Sequence, residues 1–247
     1  MFSFFKKKIQ IAQEPIVVPP LLVDVHSHLI PGIDDGSQTM EESLVLLKAL
    51  EAVGYKKIIT TPHIMVDAYG NTKESILQGL QVLQNEAKKH NIHVEIEAAS
   101  EYYLDEGLLS LIHKKEILLI EDKYLLFETS YIHRPTQLEE VIFEILAAGY
   151  IPLLAHPERY RYIADPEEFQ RLKTLGVLFQ VNLNSFHGHY GAHAKKHANF
   201  LSQHGLIDFL GSDTHNIKQV EYLSEVLTSH IYSEIYRYNT IKNPSLI

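Results

Sequence analysis

The chain has 247 residues, 45% hydrophobic and 21% charged, a composition that suits one large α/β domain or a single barrel with a full core. A formal net charge of -9 leaves no broad basic footprint for nucleic acid, and no apolar run approaches the roughly 18 residues that span a bilayer. Cysteine is absent, which excludes disulfides, thiolate metal sites and every phosphatase mechanism with a cysteine nucleophile.

Residues 1–20 end in VVPP and read as an N-terminal tail leading into one domain over 21–247. In MFSFFKKKIQ the basic cluster follows the apolar residues, the reverse of a secretory signal, so a cytoplasmic location is expected. The plain expectation for the tail is a disordered or surface-laid arm. The sharper alternative is a peripheral membrane contact through Phe2, Phe4, Phe5 and Lys6 to Lys8.

Seven apolar runs follow, each emptying into a polar loop. The first, 21–28 (LLVDVHSH), points His26 and His28 the same way by strand alternation, so both imidazoles reach one cation. That pair is a weak signal among 15 histidines until Asp34-Asp35-Gly36 follows it at a turn. These acids either cap the helix that starts near Met40 or supply a ligand, and their company favours Asp35 as the ligand. A helix is expected over 40–55, ending at Gly54. The second run, 58–63, ends in Thr61-Pro62-His63, and a helix over 73–90 finishes with Lys88, Lys89 and His90, as the helix dipole favours.

The third run, 94–101, delivers Glu101, and a helix is expected over 104–115. The fourth, 124–128 (YLLFE), carries Glu128 on a hydrophobic strand. Burying an ionised glutamate costs several kcal/mol unless a charge answers it, and no Lys or Arg lies near in sequence, so a metal is the better partner. A helix over 137–150 precedes the fifth run, 151–159, which brings His156 and Arg159. After a helix over 166–176 comes the sixth run, 178–182 (LFQVN). Helices near 193–205 and 218–232 flank the seventh, 208–215, which ends in Asp213 and His215.

Strand and helix alternate about seven times, the signature of βα units and a parallel sheet. An open doubly wound sheet uses one crevice, whereas ligands at nearly every strand end fit a distorted, TIM-like (β/α)7 barrel with its site at the C-terminal ends of the strands. The ligand candidates are His26, His28, His63, His156 and His215 with Asp35, Glu101, Glu128 and Asp213. They are too many for one ion taking about four to six ligands, so two or three ions are implied. Imidazole and carboxylate without thiolate suit manganese, iron or zinc. Clustered metals lower the pKa of a bridging water and clamp a phosphoryl group, and Arg159 would grip phosphate oxygens as a bidentate fork.

The ordered set H-x-H with D-D-G, T-P-H, S-E-Y-Y, L-L-F-E, A-H-P-E-R-Y and S-D-T-H resembles the PHP (polymerase and histidinol phosphatase) superfamily. HSHLIPGIDDGSQTMEESL and AHPERY resemble the bacterial tyrosine phosphatases of capsule and exopolysaccharide loci, and the likeness spans about 21–216. The resemblance implies a PHP-type (β/α)7 barrel and a trinuclear site, usually manganese-activated. It implies His26, His28, Glu101 and Asp213 on the first ion; Glu101, Glu128 and His156 on the second; and Asp35, His63 and His215 on the third. It further implies Arg159 on the substrate phosphate, attack by a metal-bridging hydroxide, and a phosphotyrosine substrate, the C-terminal tail of a tyrosine kinase of polysaccharide export. One departure stands out: such phosphatases carry another arginine a few residues past D-x-H, where this chain reads NIKQVEYL and offers Lys218 as a point charge.

Rival readings keep the same residues. A histidinol-phosphate or other small-molecule phosphatase would use the same site with different loops. A non-catalytic metal-binding or scaffold protein predicts ligands without a phosphate cation, and Arg159 beside His156 counts against it. His187, His189, His193 and His197 form the most conspicuous histidine cluster, but no carboxylate is close, and an exposed loop at the barrel mouth is expected. His133 and Arg134 are similar loop candidates, while His90, His93, His113, His204 and His230 carry no functional weight. Tyr232, Tyr236 and Tyr238 are expected to pack or cap the barrel.

Overall fold

The computed structural model describes residues 18–247, so the expected contacts of Phe2, Phe4, Phe5 and Lys6 to Lys8 lie outside the described residues. The fold is α/β with parallel sheets. β1 (Val23–Asp24), β2 (Lys57–Thr60) and β4 (Glu95–Ala98) form one sheet in that order. The second sheet runs β3 (His63–Ile64), β5 (Glu101–Tyr103), β6 (Tyr124–Glu128), β7 (Ile151–Ala155), β8 (Leu178–Asn182) and β9 (Phe209–Gly211). Every pairing between these strands is parallel.

β3 resumes the path of β2, and β5 that of β4, so the second and third expected strands are each broken once. The first break falls at Thr61-Pro62, where proline has no N–H for the ladder. There the Thr61 N–H and the Thr60 hydroxyl both turn to the Ser27 carbonyl, at 2.7 and 2.9 Å. Past the ends of β1 and β9 the chain pairs again. Asp213 N donates to His26 O at 2.7 Å, His28 N donates to Thr214 O at 3.0 Å, and Ser27 and Thr214 form a parallel bridge. Asp24, fully buried, accepts from the Ser212 N–H and hydroxyl at 2.8 and 2.6 Å. Burial raises its carboxyl to about 6 even so.

The helices match the expected periods closely. α1 (Met40–Val53) is capped by Thr39 in a capping box with Glu42, so neither Asp34 nor Asp35 is needed as a cap. α2 (Lys73–Lys89), α3 (Glu106–Lys114), α4 (Leu138–Ala147) and α5 (Glu167–Thr174) follow. α6 (Leu183–His187) was not expected, and α7 (Gly191–Gln203) begins earlier than its hydrophobic period suggests. The helix expected over 218–232 is two, α8 (Ile217–Leu227) and α9 (His230–Tyr238), separated where Ser229 takes an extended conformation.

Among the described residues, two apolar clusters hold the layers. Val23, Val25, Ile59, Ala99, Leu126, Leu153, Ala155 and Phe209, all essentially inaccessible, form a small cluster contributed by strand after strand. The larger one, with Leu47, Leu50, Ile76, Leu83, Phe127, Ile142, Phe169 and Phe179, packs helices onto the strands. Tyr232 packs as expected and donates its hydroxyl to Pro19 O at 3.0 Å, whereas Tyr238 is exposed. No helix among the described residues is long and apolar enough to cross a membrane.

Candidate metal centre

The residues singled out from six of the seven runs converge at the C-terminal side of the strands. His26 and His28 follow β1, His63 opens β3, Glu101 opens β5, Glu128 ends β6, His156 follows β7, and Asp213 and His215 follow β9. His156 and Asp213 leave their strands in the left-handed region, at φ 33° and 51°. That conformation is uncommon for residues other than glycine and costs about 1–3 kcal/mol each, which the surrounding site must over-determine.

Three groups of donor atoms lie mutually within 4.8 Å: His26, His28 and Glu101; His63, Glu101 and Glu128; and His28, Asp35, His63 and His215. Glu101 belongs to two of them, and His156 Nε2 donates to its other oxygen at 2.9 Å. Asp213 Oδ1 sits 3.6 Å from His26 Nε2 and 3.7 Å from His28 Nε2. Asp35 is half-exposed and closes the outer side, 3.3 Å from His63 Nε2 and 3.4 Å from His215 Nε2.

The ring orientations are set from behind. His26 Nδ1 donates to Gln180 Oε1 at 2.7 Å, and His28 Nδ1 donates to Asp34 Oδ2 at 2.7 Å. His215 Nδ1 donates to the Asp213 carbonyl at 3.0 Å. With each Nδ1 backed by an acceptor, the Nε2 atoms of His26 and His28 face one another at 3.2 Å and face Glu101 Oε2 at 3.1 and 3.5 Å. Backing of the far ring nitrogen by an acceptor is what orients metal-ligating histidines. Asp34 also accepts from Gly36 N and His63 N, which explains why it is the inner, buried member of the acid pair.

The charges make the same point. Asp34, Glu101, Glu128 and Asp213 are buried together. Burial, then the charge of Glu101, raises Glu128 to about 8. Burial also works against charge on His26 and His63, but Glu101 and its neighbouring acids overcome it and raise both to about 10. His156 is pushed down to about 4 by burial and by Arg159. Such a cluster attracts positive charge, and its donor set of imidazole and carboxylate fits divalent transition ions.

Arg159 lies between two aromatic faces, its guanidinium carbon 4.5 Å from the Tyr131 ring centroid and 4.2 Å from that of Tyr190. Its Nη1 donates to Asp213 Oδ2 at 2.8 Å. Arg159, Tyr131 and Tyr190 line a cavity of about 290 Å3 together with Asp35, His63, Glu101, His156, Asp213 and His215. Lys218 stands apart from it: its ammonium lies 5.7 Å from the Tyr222 ring centroid, and the first turn of α8 presents its cap Asn216 and Gln219 to the cavity instead.

The conspicuous histidines do not form an exposed loop. His187 ends α6 and stacks on Tyr222 at 4.2 Å, while His193 and His197 lie on α7. His197 is buried edge-on against Phe169, a core histidine, and only His189 is an exposed loop residue. Arg134 is held by Glu139 and Glu168. Sequence reasoning passed over Tyr131, Tyr190, Gln180 and Asn182. Gln180 and Asn182 carried a readable signal, being polar residues two apart on an otherwise apolar strand and hence on one face. The tyrosines carried none, since nothing in sequence distinguishes them from the other tyrosines.

A family model described as capsular polysaccharide synthesis, CpsB/CapC, matches residues 22–242. The chain is 30% identical to the tyrosine-protein phosphatase YwqE of Bacillus subtilis over 199 residues, 80% of this chain and 78% of that protein. Among solved structures it resembles one of YwqE from Bacillus subtilis and CpsB from Streptococcus pneumoniae, described as metal-dependent tyrosine phosphatases. The TM-score is 0.77 at 27% identity, over 89% of this chain and 96% of that one. A histidinol phosphate phosphatase from Lactococcus lactis, complexed with zinc, L-histidinol and phosphate, shares the fold at a TM-score of 0.50 and 15% identity, over 86% and 95% of the two chains.

Proposed function

Since the chain belongs to the CpsB/CapC family of capsular polysaccharide synthesis, we propose that it is a metal-dependent tyrosine-protein phosphatase acting at the cluster just described. The observation that carries the reading is one cavity lined by Asp35, His63, Glu101 and His215 of the grouped metal donors and by a clamped arginine. The strand paths, with the bonds that join the residues after β1 to those after β9, support a distorted (β/α)7 barrel as one domain over 21–247.

On this reading His26, His28, Glu101 and Asp213 would hold one ion, Glu101, Glu128 and His156 a second, and Asp35, His63 and His215 a third. Manganese is the first choice and iron or zinc the alternatives. Such ions supply a nucleophile from water at neutral pH and stabilise charge developing on the phosphoryl oxygens. The chain does the rest. Gln180 and Asp34 fix the imidazole tautomers. Arg159 receives the phosphoryl group, and because Tyr131 and Tyr190 restrict its plane, little orientation entropy is lost when it binds two oxygens.

The substrate assigned is a phosphotyrosine protein, the C-terminal tail of a tyrosine kinase of polysaccharide export, which places the activity in the cytoplasm. The test compares a phosphotyrosine peptide with histidinol phosphate on one manganese-loaded sample. A phosphotyrosine phosphatase prefers the peptide in kcat/KM; preference for histidinol phosphate would establish the small-molecule alternative.

A further inference from the structure

Two cavities meet at the wall formed by Tyr131, Arg159 and Tyr190. One is the metal cavity. The other, about 430 Å3, extends past Ile132, Arg161 and His193 and is lined by none of the grouped metal donors. When a phosphoryl group sits against Arg159 in the first cavity, the tyrosyl ring and the adjoining peptide still need a place. The second cavity adjoins the first across Arg159, which lines both.

Its chemistry is not neutral. Arg134, Arg159, Arg171 and Arg237 each meet a carboxylate. Arg161 is exposed, and among the described residues its guanidinium enters no hydrogen bond or ion pair. Its backbone N–H donates to Tyr131 O at 2.7 Å, which fixes its position relative to the wall of the metal cavity. Beside it Ile132 is 63% exposed, an apolar surface next to a free cation.

We propose that this second cavity is a peptide subsite in which Arg161 pairs with an acidic side chain close to the phosphotyrosine, while Ile132 covers the apolar part of the peptide. The proposal rests on the tyrosine-phosphatase reading and adds a substrate preference to it: phosphotyrosine flanked by glutamate or aspartate.

The experiment uses the full, manganese-loaded chain with three matched phosphotyrosine peptides, flanked by Glu, Ala or Lys, and with p-nitrophenyl phosphate as a substrate lacking a peptide. Exposed ion pairs are modest, so the expected order in kcat/KM is Glu over Ala over Lys by about three- to fivefold per step at low salt. Salt should compress that order, because the pair is screened. Arg161→Ala should level the Glu and Ala peptides, and Arg161→Glu should favour the Lys peptide, both with p-nitrophenyl phosphate turnover unchanged. Equal turnover of the three peptides by the wild type overturns the subsite alone, as does a uniform loss on every substrate in Arg161→Ala. Failure to turn over any phosphotyrosine peptide overturns the phosphatase reading, and the subsite with it.

Discussion

Arg159 and Asp213 are joined at 2.8 Å, so the guanidinium assigned to the substrate phosphate is anchored to a carboxylate of the metal cluster. The two oxygens of Asp213 face different ways. Oδ2 also accepts from Asn182 Nδ2 at 2.6 Å and from the Tyr190 hydroxyl at 3.0 Å. Oδ1 looks toward His26, His28 and His215 at 3.5 to 3.7 Å. On the proposed assignment, one carboxylate would set the spacing between ions and phosphate. Glu158, the sequence neighbour that might have neutralised Arg159, is instead buried and accepts from Asn182 N and the Ser185 hydroxyl.

Arg159→Ala should lower turnover of a phosphotyrosine peptide about 30- to 1000-fold, the usual cost of a charge-assisted contact that strengthens in the transition state. Bound metal should stay near the wild-type level. Arg159→Lys keeps the charge, loses the planar fork, and should recover only part of the rate. Wild-type turnover in both variants would remove Arg159 from the mechanism, and metal loss would make its role structural.

Tyr190 contributes a ring face to Arg159 and a hydroxyl to Asp213. Tyr190→Phe keeps the face, whereas Tyr190→Leu loses both. The leucine variant should therefore fall below the phenylalanine variant by about 2- to 30-fold in kcat/KM, the range of a cation–π contact. Equal rates for the two would show that the ring does not position the guanidinium.

How far the site was legible follows from where its residues stand in sequence. A ligand at the end of a strand is visible because the apolar run before it is visible, which is why His26, His63, Glu101, Glu128, His156 and Asp213 could be nominated one by one and are found together. Residues that act from a loop or from behind have no such marker. Tyr131 and Tyr190 acquire their role only through Arg159, and Asp34's place behind His28 is seen only in its buried hydrogen bonds. Helix boundaries were readable from caps and period, but the break between α8 and α9 was not, since neither Thr228 nor Ser229 interrupts the pattern as proline would. The histidines of α6 and α7 were passed over as ligands for want of a nearby carboxylate, but the expected exposed loop was wrong because packing is invisible in sequence: His197 fills space against Phe169.

Site and surface histidines should separate cleanly. His26→Ala and Asp213→Ala should lose most activity together with bound metal, while His189→Ala keeps its metal load. Gln180→Leu, which leaves His26 Nδ1 without its acceptor, should weaken metal affinity about 10- to 100-fold with the helical content unchanged by circular dichroism. A metal load lost in His189→Ala and kept in His26→Ala would relocate the centre.

His197 yields a pH prediction. Burial, then the charges of His193 and Lys196, push it down to about 4 from its ordinary 6.5. Between those values the unfolded chain binds the proton and the folded chain does not, so this residue's contribution to stability is lost as pH falls. His197→Leu lacks that loss. Its Tm relative to wild type should therefore shift in the variant's favour on going from about pH 7 to about pH 4.5. A difference that stays constant across that window would show that the imidazole titrates alike in both states.

The central claim is that phosphotyrosine hydrolysis depends on ions held by the grouped histidines and carboxylates. Elemental analysis of chelated protein during stepwise manganese addition, with peptide hydrolysis measured at every step, tests it most directly. The account predicts no turnover at zero metal and activity that climbs until about two to three ions are bound per chain, indifferent to thiol alkylation because cysteine is absent. Full hydrolysis by protein verified to hold no metal would contradict it.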